Sequence, residues 1–327
     1  MRTFIRAAVV AVAVPGLLSG LSATPAWADD VRTVATGFAG PLHVAVAPGG
    51  DVLVADAFLG AIDRVHPSTG AVTEVTSAQA FTPGVDVLGG QVFFTKSEDP
   101  HDGAPDGTTT LWRWTADGGA VQVADLLAWE YAHNPDGQPQ RTGEDADSNP
   151  YGVLALPGRV LVADAAGNDI VEVRSNGAMR TLTRFPNSFV GDCATASNNG
   201  VPNAGCDPTP TDLKLGPDGF LYVSGLGGEA EGHIWKVNAT TGAIVEHHGG
   251  FPPLTGIAVA KDGTVYVASL FTSQVFRLNH GSMSVADVPG PSGLDTDRNG
   301  TLYAGSVDFE GGPGSLLSIA PAAFHAP

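Results

Sequence analysis

Six times along the chain a glycine is followed by a short β-branched or aromatic run, and this repetition limits the fold more than any other feature. The runs are DVLVAD (51–56), QVFFTK (91–96), RVLVAD (159–164), FLYVSG (220–225), TVYVAS (264–269) and TLYAGS (301–306), led by Gly50, Gly90, Gly158, Gly219, Gly263 and Gly300. A repeat of about 40 residues built only from short alternating strands and Gly/Asp turns is the signature of radial four-stranded blades. The pattern predicts an all-β, six-bladed β-propeller in one domain. Its blades cover about 40–80, 81–127, 149–188, 210–251, 253–289 and 291–323. No segment carries helical periodicity.

The last repeat ends after SLLSIA (315–320) without a fourth strand. Val31–Thr36 resembles the fourth-strand segment 179–183 of blade three, so the N-terminal strand, about 31–36, is expected to complete blade six and remove a free sheet edge. Arg2 and Arg6 precede an apolar stretch from Ala7 to Leu18 and then Ala26-Trp27-Ala28, which reads as a secretory signal peptide cleaved after Ala28. A secreted, extracellular and monomeric chain with no membrane span follows from that reading. Loss of Arg2 and Arg6 lowers 16 basic residues to 14 against 34 acidic ones, a net charge of −20. So acidic a chain lacks the basic stripe that phosphate backbones require, which excludes nucleic acid as a partner. The ligand is then a small molecule, a glycan or a protein.

Spacings between the leading glycines are 40, 68, 61, 44 and 37, so the second and third intervals carry extra chain. Two insertion loops result, 127–150 and 189–210, both placed where propellers usually bind ligands. Cys193 and Cys206 are the only cysteines and share the second loop, so in an oxidising compartment they should form a disulfide. A third long turn, 97–109, lies within blade two.

Asn149-Pro150-Tyr151-Gly152-Val153 opening a blade, followed by Val162–Asp169 (VADAAGND), resembles the ScyD/ScyE family of secreted propellers over essentially the whole mature chain. The repeats are more loosely similar to NHL repeats and to the six-bladed SMP-30/gluconolactonase/strictosidine-synthase-like superfamily. The family resemblance implies the fold and export rather than a reaction. The looser one implies a divalent cation at the channel mouth, held by carboxylate and asparagine oxygens and used in lactone or ester hydrolysis. Calcium is the cofactor that reading would add.

Entering the inner strands are His43, Asp86, Asn149, Asp212, Thr255 and Ser292. Asp86, Asn149 and Asp212 are the candidate metal or channel-mouth set; His43, Tyr151, Thr255 and Ser292 are the candidate ligand contacts. No glutamate from an early blade completes the metal set. Asp295–Gly300 imitates half a calcium loop and reads as an Asx turn, because Ser306 stands where a twelfth-position glutamate would be needed. Glu144-Asp145-Ala146-Asp147 is read as a solvated acidic loop, and His247-His248 as an outer-rim surface pair. No G-x-S-x-G elbow is present. A ligand-binding or scaffold propeller is the first reading, and a calcium-dependent lactonase or esterase the alternative.

Overall fold

The computed structural model describes residues 30–78, 80–97, 109–137, 147–198, 201–228 and 230–327. The predicted leader, 1–28, lies outside them, as do Glu144 and Asp145. The described residues form six antiparallel four-stranded sheets arranged as a β-propeller. Blade one is β2 (Pro41–Val46), β3 (Val52–Asp56), β4 (Ala61–His66) and β5 (Ala71–Ser77); blade two is β6 (Val85–Leu88), β7 (Gln91–Lys96), β8 (Thr110–Thr115) and β9 (Gly119–Asp125). After helix α1 (Leu126–His133) comes blade three, β10 (Pro150–Leu156), β11 (Arg159–Asp164), β12 (Asp169–Arg174) and β13 (Met179–Arg184). Blade four is β14 (Pro210–Leu215), β15 (Phe220–Gly225), β16 (Gly232–Asn238) and β17 (Ile244–Phe251); blade five is β18 (Gly256–Val259), β19 (Val265–Ser269), β20 (Gln274–Asn279) and β21 (Ser282–Asp287). Blade six, β22 (Pro291–Thr296), β23 (Leu302–Ser306) and β24 (Gly314–Ile319), takes its fourth strand from β1 (Val31–Phe38).

The N-terminal strand thus closes the ring as expected, pairing antiparallel to β24 from Val31↔Ile319 to Phe38↔Gly314. The leading glycines open the hairpins between first and second strands at positive φ, 94° at Gly50 and 81° at Gly219, where a side chain would be strained. Apolar residues of adjacent blades interleave to fill the spaces between sheets. One such cluster joins Leu161, Ile170 and Phe185 of blade three to Leu213, Val223 and Trp235 of blade four. Cys193 and Cys206 are joined in a disulfide across the second insertion. Among the described residues no helix is long and apolar enough to cross a membrane.

One expectation is corrected. The first insertion begins with a helix, α1, although LLAWEYAH shows no amphipathic stripe. Its ends hold it instead: the Asp125 carboxylate accepts from Ala128 N at 2.9 Å, and Asn134 ends the helix in a left-handed conformation at φ 41°.

Candidate functional site: the central channel and its mouth

The meander places turns between second and third strands, and connections between blades, at one end of the ring. That end is the mouth face, and each inner strand descends from it. Counting from each leading glycine sorts the inner strands into layers. His43 pairs with Ala55 and Asp212 with Ser224, in both cases the fifth residue after the glycine, so they share a layer. Blades one and four lie on opposite sides of a six-membered ring. His43 Nε2 nevertheless donates to Asp212 Oδ1 at 2.8 Å, with both side chains fully buried. The pair therefore spans the channel. Glycines hold the same level on the other blades; at Gly293 a Cβ would stand 2.6 Å from His43 Cα, so only glycine allows the inner strands to approach this closely.

Asp86 belongs two residues deeper. It pairs with Phe93, as Lys214 pairs with Tyr222 and Asp295 with Tyr303, each the third residue after its glycine. Sequence reading missed Lys214 and assigned Asp295 to a turn rather than the channel, yet this register count would have placed both. Three carboxylates latch blades together in alternation. Asp86 accepts from Ala155 N of the next blade at 2.6 Å, Asp212 from Ile257 N at 3.0 Å and Asp295 from Val46 N at 2.7 Å. Each also accepts from the backbone N–H that follows it, at 2.7 to 2.8 Å. Burial opposes the charge on Lys214, but Asp295, Asp212 and Asp86 outweigh it and hold the ammonium above its ordinary range. For Asp212 burial is likewise outweighed, by His43 and Lys214, and its carboxyl titrates below the usual value. Burial dominates at Asp86, which is pushed up to about 6.

The other sequence candidates lie nearer the mouth. Thr255 Oγ1 donates to Pro291 O at 3.3 Å and Ser292 Oγ to Pro41 O at 2.5 Å, so both hydroxyls staple one blade to the next, as Thr211 does to Leu254 O at 3.0 Å. Asn149 Oδ1 accepts from Ser97 Oγ at 2.8 Å. Asp86, Asn149 and Asp212 thus spend their oxygens on three separate sets of partners. Among the described residues no three carboxylate, histidine or cysteine side chains are grouped to hold a metal ion as they stand. Tyr151 is half-buried directly above the His43–Asp212 layer, its hydroxyl pushed upward by burial and by the Asp212 charge. It packs with Phe81 and Leu270 against Leu42, Ala57 and Val307 in an apolar cluster at the mouth. Around that cluster, in the turns of blades five, six and one, stand Phe271 (57% exposed), Phe309 (70%) and Phe58 (56%).

Across the ring from this apolar arc, blade three is acidic. Asp164 opens the turn to Asp169, its cross-strand partner, and Glu130 of α1 lies over Gly167. Glu130, Asp136, Asp164 and Asp169 are all buried. Ser148 Oγ donates to Asp164 at 2.5 Å, Thr181 Oγ1 to Asp169 at 3.0 Å and Asn168 Nδ2 to Asp136 at 3.2 Å, while among the described residues Asp169 Oδ1 has no hydrogen-bond partner. Burial first, then the charges of Asp164, Asp136 and Asp147, push Glu130 up to about 8; burial and Asp164 raise Asp169 well above the carboxylate range. Buried close together, these carboxyls favour holding protons over charge. A carboxyl whose folded value is raised stabilises the fold below its unfolded value, and that stability is lost as pH rises through the folded one. The melting temperature should fall between about pH 4.5 and 8, and Glu130→Gln should flatten that decline; an identical slope in the variant would refute the assignment. Sequence reading missed this cluster, which forms only when the insertion folds onto blade three.

His247 and His248 are exposed on the outer strand β17 as expected; His247 Nε2 also stands 3.1 Å from His233 Nδ1, and its ring stacks on Trp235.

No family model matches the chain, and no curated protein is a detectable sequence relative. Solved structures share the fold. A gluconolactonase from Xanthomonas campestris aligns with TM-score 0.60 at 16% identity, covering 89% of each chain. A luciferin-regenerating enzyme aligns with TM-score 0.61 at 10% identity, over 91% of this chain and 97% of that one. The PQQ-bound aldose sugar dehydrogenase of Streptomyces coelicolor aligns with TM-score 0.58 at 15% identity, over 89% of this chain and 97% of that one. The chain is a six-bladed β-propeller that shares its fold with proteins named as a gluconolactonase, a luciferin-regenerating enzyme and an aldose sugar dehydrogenase, at identities that carry the architecture alone.

Proposed function

We propose that this protein is a secreted, ScyD/ScyE-like propeller that binds a small molecule with an apolar, aromatic-sized body on its mouth face. The observation that carries the reading is the apolar floor of Leu42, Phe81, Tyr151 and Leu270 with Phe58, Phe271 and Phe309 exposed around it. Ligand sites combine apolar and aromatic walls with a few polar groups, and the acidic arc of blade three supplies the polar side. A hydrogen-bond-donating substituent fits the oxygens of that arc. The His43–Asp212 pair supports a ligand seated above it rather than threaded through the ring.

The neutral aromatic amine N-phenyl-1-naphthylamine tests this, its fluorescence rising with saturable one-to-one binding. Phe271→Ser and Tyr151→Ala should each weaken binding about tenfold, the loss of one well-packed aromatic contact. Equal binding by both variants, or no saturable binding by the wild type, would remove the reading.

A second reading, a divalent-metal-dependent lactonase or esterase, is supported by the likeness to the gluconolactonase structure. It needs Asp86, Asn149 and Asp212 to exchange their present partners for calcium. A lactone and ester panel run with calcium and with EDTA separates the two, because only the hydrolase turns over and loses turnover to the chelator and to Asn149→Ala.

A further inference from the structure

A cavity of about 280 Å³ opens at the ring face opposite the mouth, between blades three and four, lined by Gly158, Arg159, Glu172, Arg174, Arg180 and Thr240. The register builds it. Arg159 pairs with Arg174 and Glu172 with Arg180, which brings three guanidinium groups around one carboxylate. Glu172 Oε2 accepts from Arg159 Nη1 at 2.6 Å and Arg180 Nη2 at 2.8 Å, and Oε1 accepts from Arg174 Nε at 3.0 Å. Blade four contributes two carbonyls: Arg159 Nη2 donates to Ala239 O at 2.7 Å and Arg180 Nη2 to Thr240 O at 3.1 Å. The Glu172 side chain is only 2% exposed, so the arginines are held by a fixed, buried anchor.

One carboxylate does not balance three guanidiniums that stay charged at any working pH. The site carries two uncompensated positive charges in a chain whose formal net charge is −18. Several donors also remain open. Among the described residues Arg174 uses only Nε, and Arg180 Nε is buried without a partner, an unfavourable arrangement unless something accepts from it. Forked N–H groups with excess positive charge around a small cavity match a multi-oxygen anion. We propose that this cavity is a binding site for a tetrahedral oxyanion, phosphate or sulfate, free or as the end of a small ester, with Arg174 and Arg180 donating to it and Glu172 setting their orientation. The overall acidity does not forbid this, because charges beyond about 8 Å are largely screened at physiological salt.

Isothermal titration of the full mature chain with inorganic phosphate, sulfate and glycerol 3-phosphate, at ionic strength held constant with sodium chloride, tests the site. Saturable binding below about 1 mM is expected, with no effect of chloride. Phosphate and sulfate binding with no response to glycerol 3-phosphate means the free anion is the ligand. Equal or tighter binding of the ester means the cavity takes the end of a larger molecule. Arg174→Gln, at a largely exposed side chain, should keep the wild-type melting temperature and weaken binding about tenfold, whereas Arg298→Gln elsewhere on the surface should not. Absence of saturable binding in the wild type, or unchanged affinity in Arg174→Gln, overturns the proposal.

Discussion

Deleting residues 30–38 should lower the melting temperature by roughly 10–20 °C and leave a chain prone to association. The strand removed is the fourth of blade six, and its loss exposes the backbone donors and acceptors of β24 from Gly314 to Ile319 as a free edge. It also withdraws Ala35 and Phe38, buried at 7% and 3% exposure, together with the half-buried Val31 and Val34. Those four side chains account for about 5 kcal/mol of apolar burial, a large part of what holds a domain folded. Phe38→Ala alone should cost about 3–5 kcal/mol, because it opens a cavity in the buried cluster Phe38 shares with Tyr303 and Leu316. A synthetic peptide of residues 30–38 should restore the melting temperature of the truncated chain in a concentration-dependent way, since binding to the native state alone stabilises by mass action. A truncated chain that melts like the full one would show that the ring does not depend on this closure.

That closure was legible because it follows from a count: six inner strands but only five complete blades, with a spare alternating segment at the other end of the chain. The disulfide was legible for a similar reason, two cysteines confined to one loop. The channel was not. His43 and Asp212 are 169 residues apart, and nothing local says that blades one and four face each other at the same depth. Candidates chosen as entering the inner strands mixed three levels: Thr255 and Ser292 above, His43 and Asp212 in the plane, Asp86 below. Register resolves them because a shift of one residue turns a side chain away and a shift of two moves it about 7 Å along the strand. Helix α1 escaped periodicity because eight residues make little more than two turns and its apolar residues do not line one side. The signals that mattered there were the capping residues Asp125 and Asn134.

Asp212→Ala should cost about 3–5 kcal/mol, the range for removing one member of a buried charged pair. The carboxylate accepts three hydrogen bonds, from His43 Nε2, Leu213 N and Ile257 N, at 2.7 to 3.0 Å, and one of them ties blade four to blade five. Alanine would leave a fully buried imidazole with neither nitrogen satisfied, because His43 Nδ1 already lacks a partner among the described residues. Lys214 would lose one of the three carboxylates that hold its charge. Asp212→Asn should cost less, as the amide oxygen keeps an acceptor for one of the two backbone donors, Leu213 N on Oδ1 or Ile257 N on Oδ2. A double-mutant cycle with His43→Ala, read from denaturant midpoints, should show a coupling energy of at least about 1.5 kcal/mol, since the second substitution removes a group the first has already left unpaired. The pH profile adds an independent sign. A carboxyl whose folded value is lowered contributes stability above its unfolded value and loses it as pH falls, so wild type should lose stability below about pH 4 more steeply than Asp212→Asn. Additive single losses, together with parallel acid profiles, would mean that the pair does not bridge the channel, and the ligand position above it would then lose its floor.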